Sequence, residues 1–258
     1  MEEKIIKTQV KEIFTKTKLP GCDWVINQYV GCGHNCSYCY ARFISRWKGY
    51  GEWGSWIEVK VNAPELVKSK FVKGKVFMSS VSDAYQPIEK EIKLTRKILE
   101  NMDKNVELSI LTKSDLVLRD IDLLKDFKNV EVGFTINSFS DEEKNLFEPD
   151  SPTNEDRIKA MKSLKKSGIK TYAFISPIIP DLVNIEEIIN KTRDFADYYW
   201  FEILNLRGAG RGFTELLEKE YPENYKTMRD RDLFTQYIDE LKNTIQKSGV
   251  KIKGIEIH

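Results

Sequence analysis

Six short apolar runs limit what this chain can fold into: 24–30, 75–78, 106–111, 130–136, 170–175 and 198–204, each four to seven residues long and rich in Val, Ile, Phe or Tyr. Runs of this length and composition are strands rather than buried helices. The stretches between them carry helical patterns with recognisable ends. Thr153, three residues before Asp156, opens a helix whose Ile158, Met161 and Leu164 share a face and which stops at Gly168. Asn184 with Glu187 opens another, and Asp232 begins a long one that ends near Gly249. Alternating strands and helices with right-handed crossovers give an α/β fold, a parallel sheet covered by helices. A chain of 258 residues, 41% hydrophobic, can bury one barrel-type core. No repeat, low-complexity tract or linker divides it, so residues 1–258 read as one domain, with a core over about 22–206 and an extension over about 207–258. The alternation Val250, Ile252, Ile255, Ile257 predicts a last strand at the sheet edge, with His258 a free end rather than a ligand.

In α/β barrels the functional groups collect at the carboxyl ends of the strands. Three cysteines follow the first run, Ser79 to Asp83 the second, Thr112-Lys113 the third, Thr135 to Asn137 the fourth, Ser176-Pro177 the fifth and Asn205 to Arg207 the sixth. Six strand ends therefore converge on one rim.

The cysteines are Cys32, Cys36 and Cys39, spaced CxxxCxxC, and only Cys22 lies outside the group. Clustered thiols are ligands for soft or borderline metals, here zinc or iron-sulfur. Structural zinc wants four protein ligands, so it must recruit His34, which sits between two of the cysteines, or Cys22. Three thiolates suit a cubane cluster that leaves one iron open to a small molecule. Cys22, ahead of the first strand, reads as a small buried apolar residue.

The motif, with aromatic Tyr38 just before its third cysteine, resembles the signature of radical S-adenosylmethionine (SAM) enzymes. Flanking segments extend the likeness to the spore photoproduct lyase-related branch: 27–32, Cys39-Tyr40-Ala41-Arg42, 79–89, Leu94-Thr95-Arg96, Thr112-Lys113-Ser114, Arg119-Asp120, Glu148-Pro149, Arg157 and 177–180. The resemblance covers about residues 24–206. It implies a partial six-stranded (β/α) barrel of the radical SAM type with a C-terminal helical extension. It further implies a [4Fe-4S] cluster on Cys32, Cys36 and Cys39, with SAM on its open iron. Reductive cleavage would give methionine and a 5'-deoxyadenosyl radical, with an external one-electron donor of flavodoxin or ferredoxin type. Lys113 would pair with the methionine carboxylate, Ser82 and Asp83 would contact the methionyl moiety, Thr135 and Asn137 the ribose or carboxylate, and Tyr38 the adenine. Each residue type has an ordinary alternative: an exposed turn lysine, helix caps, strand-end turns. Tyr40 matches a tyrosine of the family's hydrogen-atom relay, but Ser80 stands where that branch carries a hydrogen-donating cysteine. A serine O–H bond is too strong for the same task, which puts thymine-dimer reversal by the known route in doubt.

Substrate class is open at this stage. A nucleic-acid base or lesion follows from the resemblance and from the basic and aromatic residues of segment 42–56. The alternatives are a peptide or small metabolite, or a zinc-binding interaction module. For that segment itself the favoured reading is an insertion whose tryptophans pack on the barrel and supply its local core. The 41 basic and 40 acidic side chains give no global bias toward nucleic acid. No apolar stretch spans a membrane and no signal peptide pattern occurs at the start, so a cytoplasmic location is expected. Arg207 to Gly212, with GxGxG rather than GxGxxG spacing, reads as a mobile loop over the barrel mouth. Glu148 and Arg157 read as a structural pair at the fourth strand's exit. Oligomeric state leaves no sequence signal.

Overall fold

The computed structural model describes residues 3–258. Its strands are β1 (Lys4–Thr8), β2 (Phe14–Lys16), β3 (Trp24–Ile26), β4 (Tyr29–Val30), β5 (Trp56–Lys60), β6 (Lys75–Met78), β7 (Glu107–Thr112), β8 (Asn129–Ile136), β9 (Lys170–Ile178), β10 (Tyr199–Ile203) and β11 (Ile252–Glu256). An eight-stranded sheet runs β11-β10-β9-β8-β7-β6-β3-β2. All its pairings are parallel except that of β2 with β3. The six expected strands form its centre in sequence order, the partial barrel of the radical SAM type with an added strand at each edge. The expected edge strand in the tail is β11, paired with β10.

Register decides which side chains share a face, since neighbours paired across parallel strands point the same way and side chains alternate along each strand. Phe77 pairs with Ser109, Leu111 with Gly133, Thr135 with Phe174, and Phe174 with Trp200. These residues line one face. The opposite face, with Val76, Leu108, Ile110, Val132, Phe134, Ile175, Phe201 and Ile203, is completely buried and packs into the hydrophobic core. Phe77, Leu111, Phe174 and Trp200 are only partly buried, so the first face is the open, concave one. Its amino end is closed by Glu131, which Lys75 meets at 2.7 Å, Lys170 at 3.1 Å and Ser109 at 3.1 Å. The Tyr172 ring lies against Gly133, where a Cβ would sit 2.1 Å from it, and stacks on Tyr198 at 4.9 Å.

Local capping follows the sequence. Thr153 accepts from the Asp156 amide at the start of the helix Asn154–Lys166, and Asn184 from Glu187 at the start of Ile185–Thr192. The long helix runs Arg231–Lys247, capped by Asp230 rather than opened at Asp232.

Four expectations need correction. The run 24–30 is two strands, because Asn27 and Gln28 turn the chain and β4 joins a second sheet, β1-β5-β4. Segment 42–56 is mixed: Trp56 is fully buried in β5 with Tyr50 and Trp53 edge-on at 5.3 and 6.1 Å, whereas Trp47 is 84% exposed. Residues 207–212 are not a loop. Asn205 caps the helix Leu206–Ala209, and Gly210, at φ +86° and ψ 169° in a region that only glycine occupies readily, turns the chain into the helix Arg211–Glu220. Cys22 is half-buried rather than buried, with its thiol directed at the Leu19 carbonyl.

Candidate active site

The cysteine loop leaves β4 through Gly31, whose φ of +89° and close approach to Trp56 exclude a side chain: a Cβ would sit 2.4 Å from the Trp56 carbonyl oxygen. Gln86 clamps the loop from the β6 side, accepting from the Gly33 amide at 2.8 Å and donating to the Gly31 carbonyl at 3.3 Å. Ser37 ties the far end to the Phe147 carbonyl at 2.9 Å. Cys32 and Cys36 are buried and Cys39 partly so. Burial raises all three thiols, Cys36 to about 12, and their mutual charge raises Cys32 further, while Lys113 pulls Cys36 and Cys39 back down. His34 points away from this group, with Nε2 3.3 Å from Asp83 and Nδ1 3.3 Å from the Asp150 carbonyl. Among the described residues no three Cys, His, Asp or Glu side chains close tightly enough to cage one ion. A cubane spreads its thiolates over separate corners, whereas a single zinc ion gathers its ligands on one atom.

Glu148 is the hub of the rim. Its buried carboxylate accepts from Tyr38, Arg157, Asn137 at 3.0 Å and Ser151 at 3.1 Å, with the Lys113 ammonium 3.8 Å away. Lys113 also sits 5.7 Å from the centre of the Tyr38 ring. Arg157, fully buried, donates further to the Thr135 carbonyl at 3.0 Å and the Pro152 carbonyl at 2.9 Å. Burial pushes the Glu148 carboxyl up, but Arg157 and Lys113 outweigh it and hold the group ionised. Within this group two cations face one carboxylate beside Cys36, a net charge of +1 before the Asp83 carboxylate near Cys32 is counted. Buried charge of that sign fits an anionic guest, whether thiolate-bound iron-sulfur or a carboxylate.

The second strut is Asp83. It accepts from Thr112 Oγ1 at 2.7 Å, the Tyr85 amide at 2.8 Å and the Lys113 amide at 2.8 Å, so it fixes the exit of β7 that carries Lys113. Burial raises its carboxyl, yet contacts with His34, the Lys113 amide and Thr112 overcome this and hold it at about 2. With a folded value below the ordinary ~3.9, the stabilisation is present above about pH 4 and lost as pH falls toward 2. Denaturant titrations stepped through that window are expected to lose on the order of 2 kcal/mol from this group, and Asp83→Asn to flatten the acid limb. An unchanged limb in the variant would place the acid sensitivity elsewhere.

Of the other expected residues, Ser82 lies beside the loop and donates to the Tyr29 carbonyl at 3.1 Å. Asn137 is held by Asn154 at 2.8 Å as well as by Glu148, and Thr135 points into the concave face. Tyr40, 50% exposed, donates to the carbonyl of Ser80. The rim thus brings the tyrosine into contact with Ser80. Burial of its hydroxyl end, with Cys39 and Glu202 nearby, raises Tyr40. Cys22 stays at the amino end of β3, away from the rim.

The resemblance picks out Gln86, Tyr29, Glu89, Thr95 and Arg119 without giving them roles: Gln86 clamps the loop, and behind it Glu89 accepts from Tyr29 at 2.5 Å, the Thr95 amide at 2.9 Å and Arg119 at 2.6 Å. Sequence reasoning missed Glu202 on β10. Ser176 Oγ donates to Glu202 at 2.7 Å, and His258 Nε2 lies 3.2 Å away. The only signal was alternation, which puts Glu202 on the concave face two residues after Trp200.

Residues 26–195 match the family model described as the radical SAM superfamily. An uncharacterized protein of Methanocaldococcus jannaschii is 57% identical over 254 residues, 98% of each chain. The radical SAM Nalpha-GlyT isomerase of Pseudomonas phage M6 is 26% identical over 162 residues, 61% of this chain and 33% of that protein. Among solved structures, a tyrosine-to-phenylalanine mutant of spore photoproduct lyase superposes with a TM-score of 0.67 at 16% identity, over 98% of this chain and 82% of that one. Spore photoproduct lyase complexed with dinucleoside spore photoproduct gives 0.60 at 18% identity, over 84% and 66%. At these identities the structural likeness carries the fold alone.

Proposed function

The chain belongs to the radical SAM superfamily, and from this premise we propose that it is an enzyme that cleaves SAM reductively on a [4Fe-4S] cluster held by Cys32, Cys36 and Cys39. The observation that carries the reading is the charge of the rim: three clustered thiols beside the buried Glu148–Arg157 pair and the partly buried Lys113, a group of net charge +1. When bound, the cluster supplies the electron that splits SAM into methionine and a 5'-deoxyadenosyl radical. The protein's own work is placement. Lys113, partly exposed and aimed by Glu148, pairs with the methionine carboxylate. Ser82 and Asp83 hold the methionyl side, Asp83 by fixing the Lys113 amide. Thr135 and Asn137 face the ribose, and Tyr38, its hydroxyl pinned by Glu148, presents its backbone and ring edge to adenine. A flavodoxin or ferredoxin type donor brings the electron from outside.

With the cluster and SAM bound, that chemistry would act on a substrate at the concave face, and Tyr40, its hydroxyl on the Ser80 carbonyl, would serve as a relay. A nucleic-acid base or lesion suits the aromatic lining of that face and the resemblance to the lyase branch. Ser80 in the cysteine position separates this reaction from lyase chemistry that closes with a thiol. The test is anaerobic reconstitution followed by dithionite and SAM. About four irons per chain, broad absorption near ~400 nm and formation of 5'-deoxyadenosine are expected. A colourless protein with one tightly held zinc rejects the proposal.

A further inference from the structure

We propose that Glu202, held by Ser176 and His258, orients the substrate by accepting a hydrogen bond from one of its N–H groups, a role that rests on the reading of the site above. The three residues come from three adjacent strand ends: Ser176 in β9, Glu202 in β10 and His258 just beyond β11. Ser176 donates to Oε2 at 2.7 Å and His258 Nε2 lies 3.2 Å from Oε1, so each carboxylate oxygen has one partner. A carboxylate has about four acceptor positions, and these two contacts leave the remainder unused. The Glu202 side chain is 33% exposed, which keeps those lone pairs accessible from the mouth.

The surroundings select the guest. Glu256 is the register partner of Glu202 on β11 and shares its face, so this end of the rim repels anions such as phosphate and favours neutral or cationic donors. Below the carboxylate, the Trp200 ring lies against Gly254 of β11, where a Cβ would sit 2.0 Å from it, with Phe174 beside it in register. An aromatic floor under an acceptor fits a planar ring that carries an amide, imide or amidine edge. The competing role is purely architectural: Glu202 pins β11 to the sheet through His258.

Matched probes separate the two. Benzamidine and benzamide present N–H donors on a planar ring, and benzoate presents an anion of the same shape. Binding is measured by calorimetry on the anaerobically reconstituted protein with SAM. Wild type is expected to prefer benzamidine and benzamide to benzoate, and Glu202→Gln to weaken benzamidine at least about tenfold while benzoate is not weakened. His258→Ala should weaken benzamidine several-fold and His258→Gln, which keeps a donor, should restore it. The idea is overturned if Glu202→Gln lowers thermal stability but leaves benzamidine binding at the wild-type value, or if benzoate binds the wild type as well as benzamidine. 5'-Deoxyadenosine formation by the wild type is assayed in parallel: its failure rejects radical generation, whereas probe binding alone decides the role of Glu202.

Discussion

Cys36→Ala is expected to lose the cluster and the chemistry together: iron falls from about four per chain toward zero, and 5'-deoxyadenosine falls to the level of a control without protein. A small substitution has so large an effect because the remaining thiols, Cys32 and Cys39, leave a second cluster corner without a protein ligand. The cost to the fold itself is small. Cys36 is buried without a hydrogen bond from its thiol, and replacing it removes one sulfur, on the order of 1 kcal/mol of packing. The variant should therefore unfold near the wild-type temperature when both are compared without iron. That comparison separates loss of a ligand from loss of structure. Product formation by Cys36→Ala at the wild-type rate would remove the cysteine loop from the mechanism.

Glu148→Leu is expected to be the most destabilising single substitution at the rim. It leaves Arg157 buried with its carboxylate partner gone and Lys113 facing a second cation, and it strips the acceptor from Tyr38 and Asn137. Breaking a buried pair by removing one partner costs roughly 3–5 kcal/mol, since the surviving charge stays desolvated. For a chain of this size that is a fall of roughly 10 °C in Tm. Arg157→Met should cost less, because Lys113 remains 3.8 Å from the carboxylate as a substitute partner. The double variant Glu148→Leu/Arg157→Met should be less damaging than the sum of the singles, with a coupling of on the order of 1–3 kcal/mol. It does not return to wild type, since the Thr135 and Pro152 carbonyls lose the guanidinium. Strict additivity of the two singles would contradict a direct buried interaction. Because the pair is inaccessible to ions, added salt should leave these differences nearly unchanged.

Both effects centre on residues that the sequence treats unequally. Cys36 stands in a local spacing that cannot be mistaken. Glu148 reads only as the partner of Arg157 nine residues later, a structural pair at the exit of β8, and that pairing is what the structure contains. Its larger job, gathering Tyr38, Lys113 and Asn137 around one carboxylate, has no signature, because Tyr38 lies 110 residues away. The six central strands were legible since alternation and β-branched content act within a few residues. The break between β3 and β4 was not, because Val25 to Val30 remains apolar on both sides of the turn and only pairing shows that the two halves enter different sheets. Likewise Gly208, Gly210 and Gly212 suggested flexibility, while the Asn205 cap and the contact of Phe213 with the core make that stretch helical.

By itself the sequence determined the strand–helix alternation, the cysteine triplet and the family, and it put Lys113, Thr135 and Asn137 at strand ends. The family rests on a resemblance of the cysteine motif and its flanking segments, and the rest on periodicity and spacing, which are local properties of a chain. The tertiary structure decided which charges are buried together, what clamps the cysteine loop and what faces the open mouth. Gln86 on Gly31 and Gly33, Glu148 beneath Lys113, and Ser176 and His258 on Glu202 are contacts between segments distant in sequence. A hydrogen bond has no period along the chain. Only the tertiary fold brings its two ends together, and with them the charges beside the thiols and the carboxylates at the open mouth.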